Sequence, residues 1–159
     1  MIFVTVGTQL AFDRLIEAVD SWAGKHPGET VFAQIGPGQY KPKNCTFADF
    51  VPPDKANDLI RTADLIISHA GMGSILTALK YQKPILVLPR KASLGEHRNE
   101  HQLATAKWLG QKPGVFVADE AHDIATILGS RSQLKSGDGI SEYAQPAFTD
   151  RLKDCIDVA

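Results

Sequence analysis

The sequence predicts an α/β fold built on a parallel sheet with helices on both faces. Two observations predict it. Short apolar, β-branched runs alternate along the chain with segments of helical periodicity, the mark of repeated strand–helix units. Several of the runs carry no polar alternation, as strands buried on both faces require.

The elements follow in order. Residues 2–6 form a short apolar strand ending at Gly7. Phe12, Leu15, Ile16, Val19 and Trp22 then fall on one helix face, and Gly24 and Pro27 stop that helix. Residues 30–35 read as a second strand closed by Gly36-Pro37-Gly38, and residues 46–51 as a third, broken by Pro52-Pro53. Asp54 is placed to N-cap a short helix bearing Leu59 and Ile60. Residues 65–68 make a compact buried strand that runs into His69-Ala70-Gly71-Met72-Gly73-Ser74 and a helix with Ile75, Leu76 and Leu79. Residues 84–89 give another buried strand, another helix falls within residues 96–109, and residues 115–117 form a last short strand. Ala121, Ile124, Ala125 and Leu128 mark a further helix. Residues 129–142, rich in Gly and Ser, read as a mobile loop. Residues 144–157, with Phe148, Leu152, Cys155 and Ile156 on one face, read as an amphipathic terminal helix docked on the body.

Composition narrows the function. The 159 residues fit one domain, 1–159, and the 43% hydrophobic content is enough for a sizeable core. A net charge of -1 gives no reason to expect nucleic acid, which asks for a basic excess. Cys45 and Cys155 lack metal-ligand spacing and read as free thiols in a reducing compartment. The start MIFVTVGTQ is no signal peptide, and no run approaches the ~18 apolar residues of a membrane span, so a cytoplasmic protein is expected.

In parallel sheets ligands bind beyond the carboxyl ends of the strands. That rule selects Gly7-Thr8-Gln9, Gly36-Pro37-Gly38, residues 69–74 and the segment after Pro89. Glycines let backbone approach a ligand, and the helix start after residue 71 offers unpaired N–H groups to a phosphate, with the Ser74 hydroxyl beside them. The same run is also compatible with a plain tight turn. In the stretch 95–102, Asn99, Glu100 and Gln102 suit a polyhydroxylated ligand and Arg98 suits a phosphate. His97 and His101 are spaced i, i+4, but no third ligand follows at a useful spacing, so no metal is expected. P-loop, G-x-G-x-x-G and nucleophile-elbow patterns are absent.

Taken together, residues 69–75, 83–89 and 97–104, with the opening Phe3-Val4-Thr5-Val6-Gly7-Thr8, resemble the C-terminal domain of glycosyltransferase family 28. That group includes MurG, the Alg13-like proteins and exopolysaccharide proteins of the PssE/EpsF type. The resemblance implies a Rossmann-like domain equivalent to the donor-binding half of a GT-B fold. It implies a UDP-sugar as substrate, with no cofactor and no metal. Carried over by position, Gly71, Met72, Gly73 and Ser74 would cradle the diphosphate, with Gly7 and Thr8 flanking it, and Arg98 would balance its charge. Asn99, His101 and Gln102 would meet the sugar hydroxyls, and a uracil pocket would lie near Phe50 and Val51. The family often has a Glu that grips the ribose where this chain has Thr77, which implies either a weaker contact by Thr77 or substitution by another group such as Glu96. Because 159 residues cannot hold both halves, the acceptor half and the catalytic base are expected on a membrane-anchored Alg14/PssD-like partner. The acceptor would be polyprenyl-linked, and the partner would hold the chain peripherally at the inner face of the membrane. A non-catalytic nucleotide-binding or regulatory module of the same fold is the alternative.

Overall fold

The computed structural model describes residues 1–140. Six parallel strands form one sheet: β1 (Ile2–Thr5), β2 (Val31–Gln34), β3 (Thr46–Ala48), β4 (Leu65–His69), β5 (Ile85–Leu88) and β6 (Val115–Val117). Their order is β3-β2-β1-β4-β5-β6, the Rossmann-like arrangement in which the chain winds outward from β1 in both directions. Helices α1 (Asp13–Lys25), α2 (Pro53–Thr62), α3 (Met72–Lys80), α4 (His101–Leu109) and α5 (Asp123–Gly129) connect or follow the strands.

The alternation of side chains along each strand divides the core into two layers. Ile2 and Val4 of β1, Ile67 of β4 and Leu86 of β5 point to the face covered by α1 and α5, where Leu15, Ile16, Val19, Ile124 and Leu128 meet them. Phe3, Ile66, Ile85 and Val87 point to the opposite face, under Ile60 of α2, Ile75 and Leu79 of α3, and Ala106 and Leu109 of α4. Both faces of β1, β4 and β5 are therefore dry, which is why these runs lack polar alternation.

Two local expectations need correction, while the helix expected within 96–109 occupies His101–Leu109, because residues 92–100 are spent on a 3-10 turn (Ala92–Leu94), on Gly95 at φ 71° and on a string of bends. Asp54 does not cap α2; it sits inside the first turn behind Pro52 and Pro53, where its charge favours the helix N-terminus. The third strand stops at Ala48, three residues earlier than expected.

In the Gly- and Ser-rich stretch after α5, a 3-10 turn (Arg131–Gln133) forms and Leu134 packs against the α1/α5 core. Arg131 pairs with Glu29, and the Gln82 side-chain amide donates to the Asp138 carbonyl at 3.1 Å. The expected terminal helix near 144–157 lies outside the described residues. Among the described residues no helix is long and apolar enough to cross a membrane.

Candidate functional site

The sheet reverses its winding between β1 and β4. The connections leaving their carboxyl ends diverge to opposite faces and open a crevice between them. After β1 the chain turns at Gly7, whose φ of 78° is a conformation that suits glycine. Gly7 N–H donates to Thr5 Oγ1 at 3.1 Å, and the buried Gln34 side chain donates to the Gly7 carbonyl at 3.1 Å. After β4 the chain passes through Gly71 into α3, whose first amides have no partner inside the helix.

A cavity of about 260 Å³ occupies the crevice. Gly7, Thr8 and Gln9 form one wall, Gly73 and Ser74 another, and His69, Arg90, His97 and Gln102 reach it from the end of β4, the connection between β5 and α4, and the first turn of α4. Among the described residues no Asp or Glu lines it. A second cavity, of about 520 Å³, shares Thr8 and Gln9 and continues the groove past Gly36-Pro37-Gly38 to Phe50. Phe50 is 58% exposed and also borders an apolar cavity of about 440 Å³ with Phe32, Val51 and Leu59. The crevice thus offers a polar end between the two glycine loops and an aromatic rim at the far side.

The predicted site residues divide in two. Gly7, Thr8, Gly73, Ser74 and Gln102 come together on the cavity. Gln102 is buried, and its Oε1 accepts the Arg90 amide at 3.1 Å, so that side chain also fixes the loop after β5. Gly71, Met72, Thr77, Arg98, Asn99 and His101 stand outside the lining. Gly71 acts one step back: a Cβ there would collide with the His69 ring. Thr77 turns its hydroxyl onto its own helix and donates to the Gly73 carbonyl at 2.7 Å. Asn99 Oδ1 accepts the His101 amide at 3.2 Å and helps start α4. His97 and His101 do not share a helix, since only His101 lies in α4, and among the described residues no group of three His, Cys, Asp or Glu gathers. Glu96 cannot stand in for a ribose-gripping Glu. Its two carboxylate oxygens accept from Arg14 Nε at 2.7 Å, Arg14 Nη2 at 2.9 Å and the Lys91 amide at 2.9 Å.

Two residues of the site escaped the sequence reading. His69 ends β4 with its imidazole between Gly7 and Gly71. Burial, then the positive charge of Arg90, push it down to about 4, so it is neutral at physiological pH. The glycines on either side of it were the available signal, because a ring packed there leaves no room for a Cβ. Arg90, in the run that follows Pro89, is 2% exposed and reaches the cavity wall from below. A lone Arg after a buried strand carries no periodicity, and nothing local tells that it turns inward.

Fold and site define a doubly wound α/β domain with a glycine-walled, polar crevice at its switch point. A family profile for the glycosyltransferase family 28 C-terminal domain matches residues 1–123. The chain belongs to that family. It is 34% identical over 148 residues to the human UDP-N-acetylglucosamine transferase subunit ALG13, covering 87% of this chain and 12% of that protein. It is 27% identical over 144 residues to the Yarrowia lipolytica protein of the same name, covering 80% of this chain and 69% of the relative. The chain therefore spans about an eighth of the human relative's length and some two thirds of the yeast one's. Among solved structures, Acinetobacter baumannii MurG superposes with a TM-score of 0.60 at 21% identity, over 99% of this chain and 49% of that one. The solution structure of ALG13 superposes with a TM-score of 0.58 at 18% identity, over 95% and 93%. At those identities the likeness is one of fold.

Proposed function

We propose that this chain is the donor-binding subunit of a two-component glycosyltransferase, moving a hexose or N-acetylhexosamine from a UDP-sugar to a lipid-linked acceptor. The observation that carries the reading is the cavity between Gly7 and Ser74: the glycine loops and the buried Arg90 line it, and among the described residues no Asp or Glu does. A diphosphate leaving group gains negative charge as the glycosidic bond breaks, and fixed donors aimed at it stabilise that charge without reorganising. The nucleoside would run along the groove toward Phe50, and the sugar toward the stretch holding Asn99, His101 and Gln102. UDP-N-acetylglucosamine is the first donor to assay, because the relatives are named for it. The relatives are named as subunits of a transferase, which supports a second chain completing the enzyme. In this reading the partner is membrane-anchored and Alg14/PssD-like, it brings a polyprenyl-linked acceptor and the catalytic base, and it holds this chain at the inner face of the membrane.

The test mixes the chain with membranes containing the candidate partner, a polyprenyl-linked acceptor and labelled UDP-N-acetylglucosamine. Incorporation that disappears when this chain is omitted is the expected result. UDP-sugar binding with no transfer under any partner would make the domain a non-catalytic module. Calorimetry showing no heat for any uridine diphosphate compound, partner present, would end the reading.

A further inference from the structure

We propose that Arg90 is the fixed cation of this site, a positioning residue that staples the loop after β1 to the loop leading to α4 and supplies the field that receives a diphosphate. The identity of the anion rests on the donor-binding reading above; the positive cavity does not.

The geometry is that of a clamp. Arg90 Nη2 donates to the carbonyls of Val6 and Leu10, both at 2.8 Å. Nη1 donates to the Ala11 carbonyl and, at 3.3 Å, to the Glu96 carbonyl. The guanidinium carbon lies 4.6 Å from the centre of the Phe12 ring. One side chain from the end of β5 thus holds the whole loop after β1 against the loop that leads to α4. Only a planar fork with several donors satisfies so many carbonyls at once; a lysine ammonium has fewer donors and no fixed plane.

The charge is unbalanced where it sits. No carboxylate among the described residues makes an ion pair with Arg90, and the nearby Glu96 carboxylate is committed to Arg14 and the Lys91 amide. Burial pulls the guanidinium down to about 10, with Glu96 opposing, so it remains charged at neutral pH. Carbonyl dipoles alone solvate a buried cation incompletely, and an incoming anion completes the job. His69, facing the same cavity, is held neutral partly by this charge. Arg98, the cation expected from the sequence, is exposed and stands outside the lining, where water screens it.

The test compares wild type with Arg90→Lys and Arg90→Gln, using UDP and inorganic pyrophosphate in calorimetry alongside thermal melts. Both variants should melt lower, since both lose the fork. Their affinities should separate: Arg90→Gln should bind UDP roughly tenfold or more weakly, and Arg90→Lys should recover most of the loss. A purely structural staple would lower affinity equally in the two, and that result overturns the proposal, as does Arg90→Gln binding UDP within about twofold of wild type. If neither variant folds, the wild-type protein decides: the Arg90 guanidinium proton and nitrogen resonances should shift on adding inorganic pyrophosphate, and no shift overturns the proposal. A pyrophosphate-induced shift without any UDP binding would keep Arg90 as the cation and sink the donor reading. UDP binding with no response at Arg90 would do the reverse.

Discussion

His69 shows how tightly single residues determine one another here. Its ring occupies the space that side chains at positions 7 and 71 would need: a Cβ on Gly7 would lie 2.9 Å from His69 Cε1, and one on Gly71 would overlap the ring. Gly7→Ala adds the cost of a non-glycine residue at φ 78°, so a loss of about 1–3 kcal/mol in urea denaturation is expected. Gly71→Ala should displace the ring and weaken UDP binding several-fold. Gly73→Ala is the stability control, because nothing lies within 4 Å of its Cβ position. The neutral imidazole also makes a pH prediction. Its folded pKa of about 4 lies below the ordinary 6.5, so between those values the unfolded chain binds the extra proton. Stability should fall as pH drops from about 6.5 toward 4, by on the order of 3 kcal/mol, and His69→Gln should flatten that part of the profile.

At the scale of elements, the connection between β2 and β3 has no regular structure, yet it is held firmly by one carboxylate. Asp20, buried on α1, accepts from the amides of Lys43 and Asn44 at 3.0 Å and 2.7 Å and from the Tyr40 hydroxyl at 2.7 Å. Burial works to raise the Asp20 carboxyl, but these donors outweigh it and hold it below the usual range. The hydrogen bond to Asp20, with burial, pushes the Tyr40 phenol up to about 12. Burial and the neighbouring Asp20 push the Cys45 thiol up to about 12 as well, so it carries almost no thiolate at neutral pH. Asp20→Ala should cost about 2–4 kcal/mol by leaving buried donors unpaired, and Tyr40 should then titrate near its ordinary 10 in an ultraviolet pH titration. Because the folded pKa of Asp20 is depressed, its contribution is present above the carboxylate range and is lost as pH falls through it. The late start of α4 has a comparable cause. Glu96, fixed by Arg14 of α1, keeps the preceding loop on the α1 side of the sheet until His101.

For the molecule as a whole, a net charge of -1 conceals a cavity of opposite character. Anion binding there should weaken with salt less steeply than at an exposed basic patch, since Arg90 is buried and poorly screened. Calorimetric UDP affinity measured between low and moderate ionic strength should therefore change by only a few-fold; a steep power-law loss would place the anion on surface cations such as Arg98. The six-stranded order puts β1 and β4 side by side at the centre, so the two glycine-bearing loops meet across the His69 ring.

Read alone, the chain of residues determined the alternation of elements, the buried character of β4 and β5, the crevice loops at Gly7 and Gly73, and the family to which they belong. Those are local properties: periodicity, turn chemistry and contiguous motifs survive in one dimension. Tertiary structure alone decided that Arg90 would turn inward, that Glu96 would be spent on Arg14, that Thr77 would bond its own helix and that His69 would stand between two glycines. The Arg90 bonds reach carbonyls 84 and 80 residues away in sequence, and the Arg14–Glu96 pair spans 82. No local pattern records such meetings, because they come from the winding of the sheet and from the need of buried polar groups to find partners wherever the fold happens to bring them.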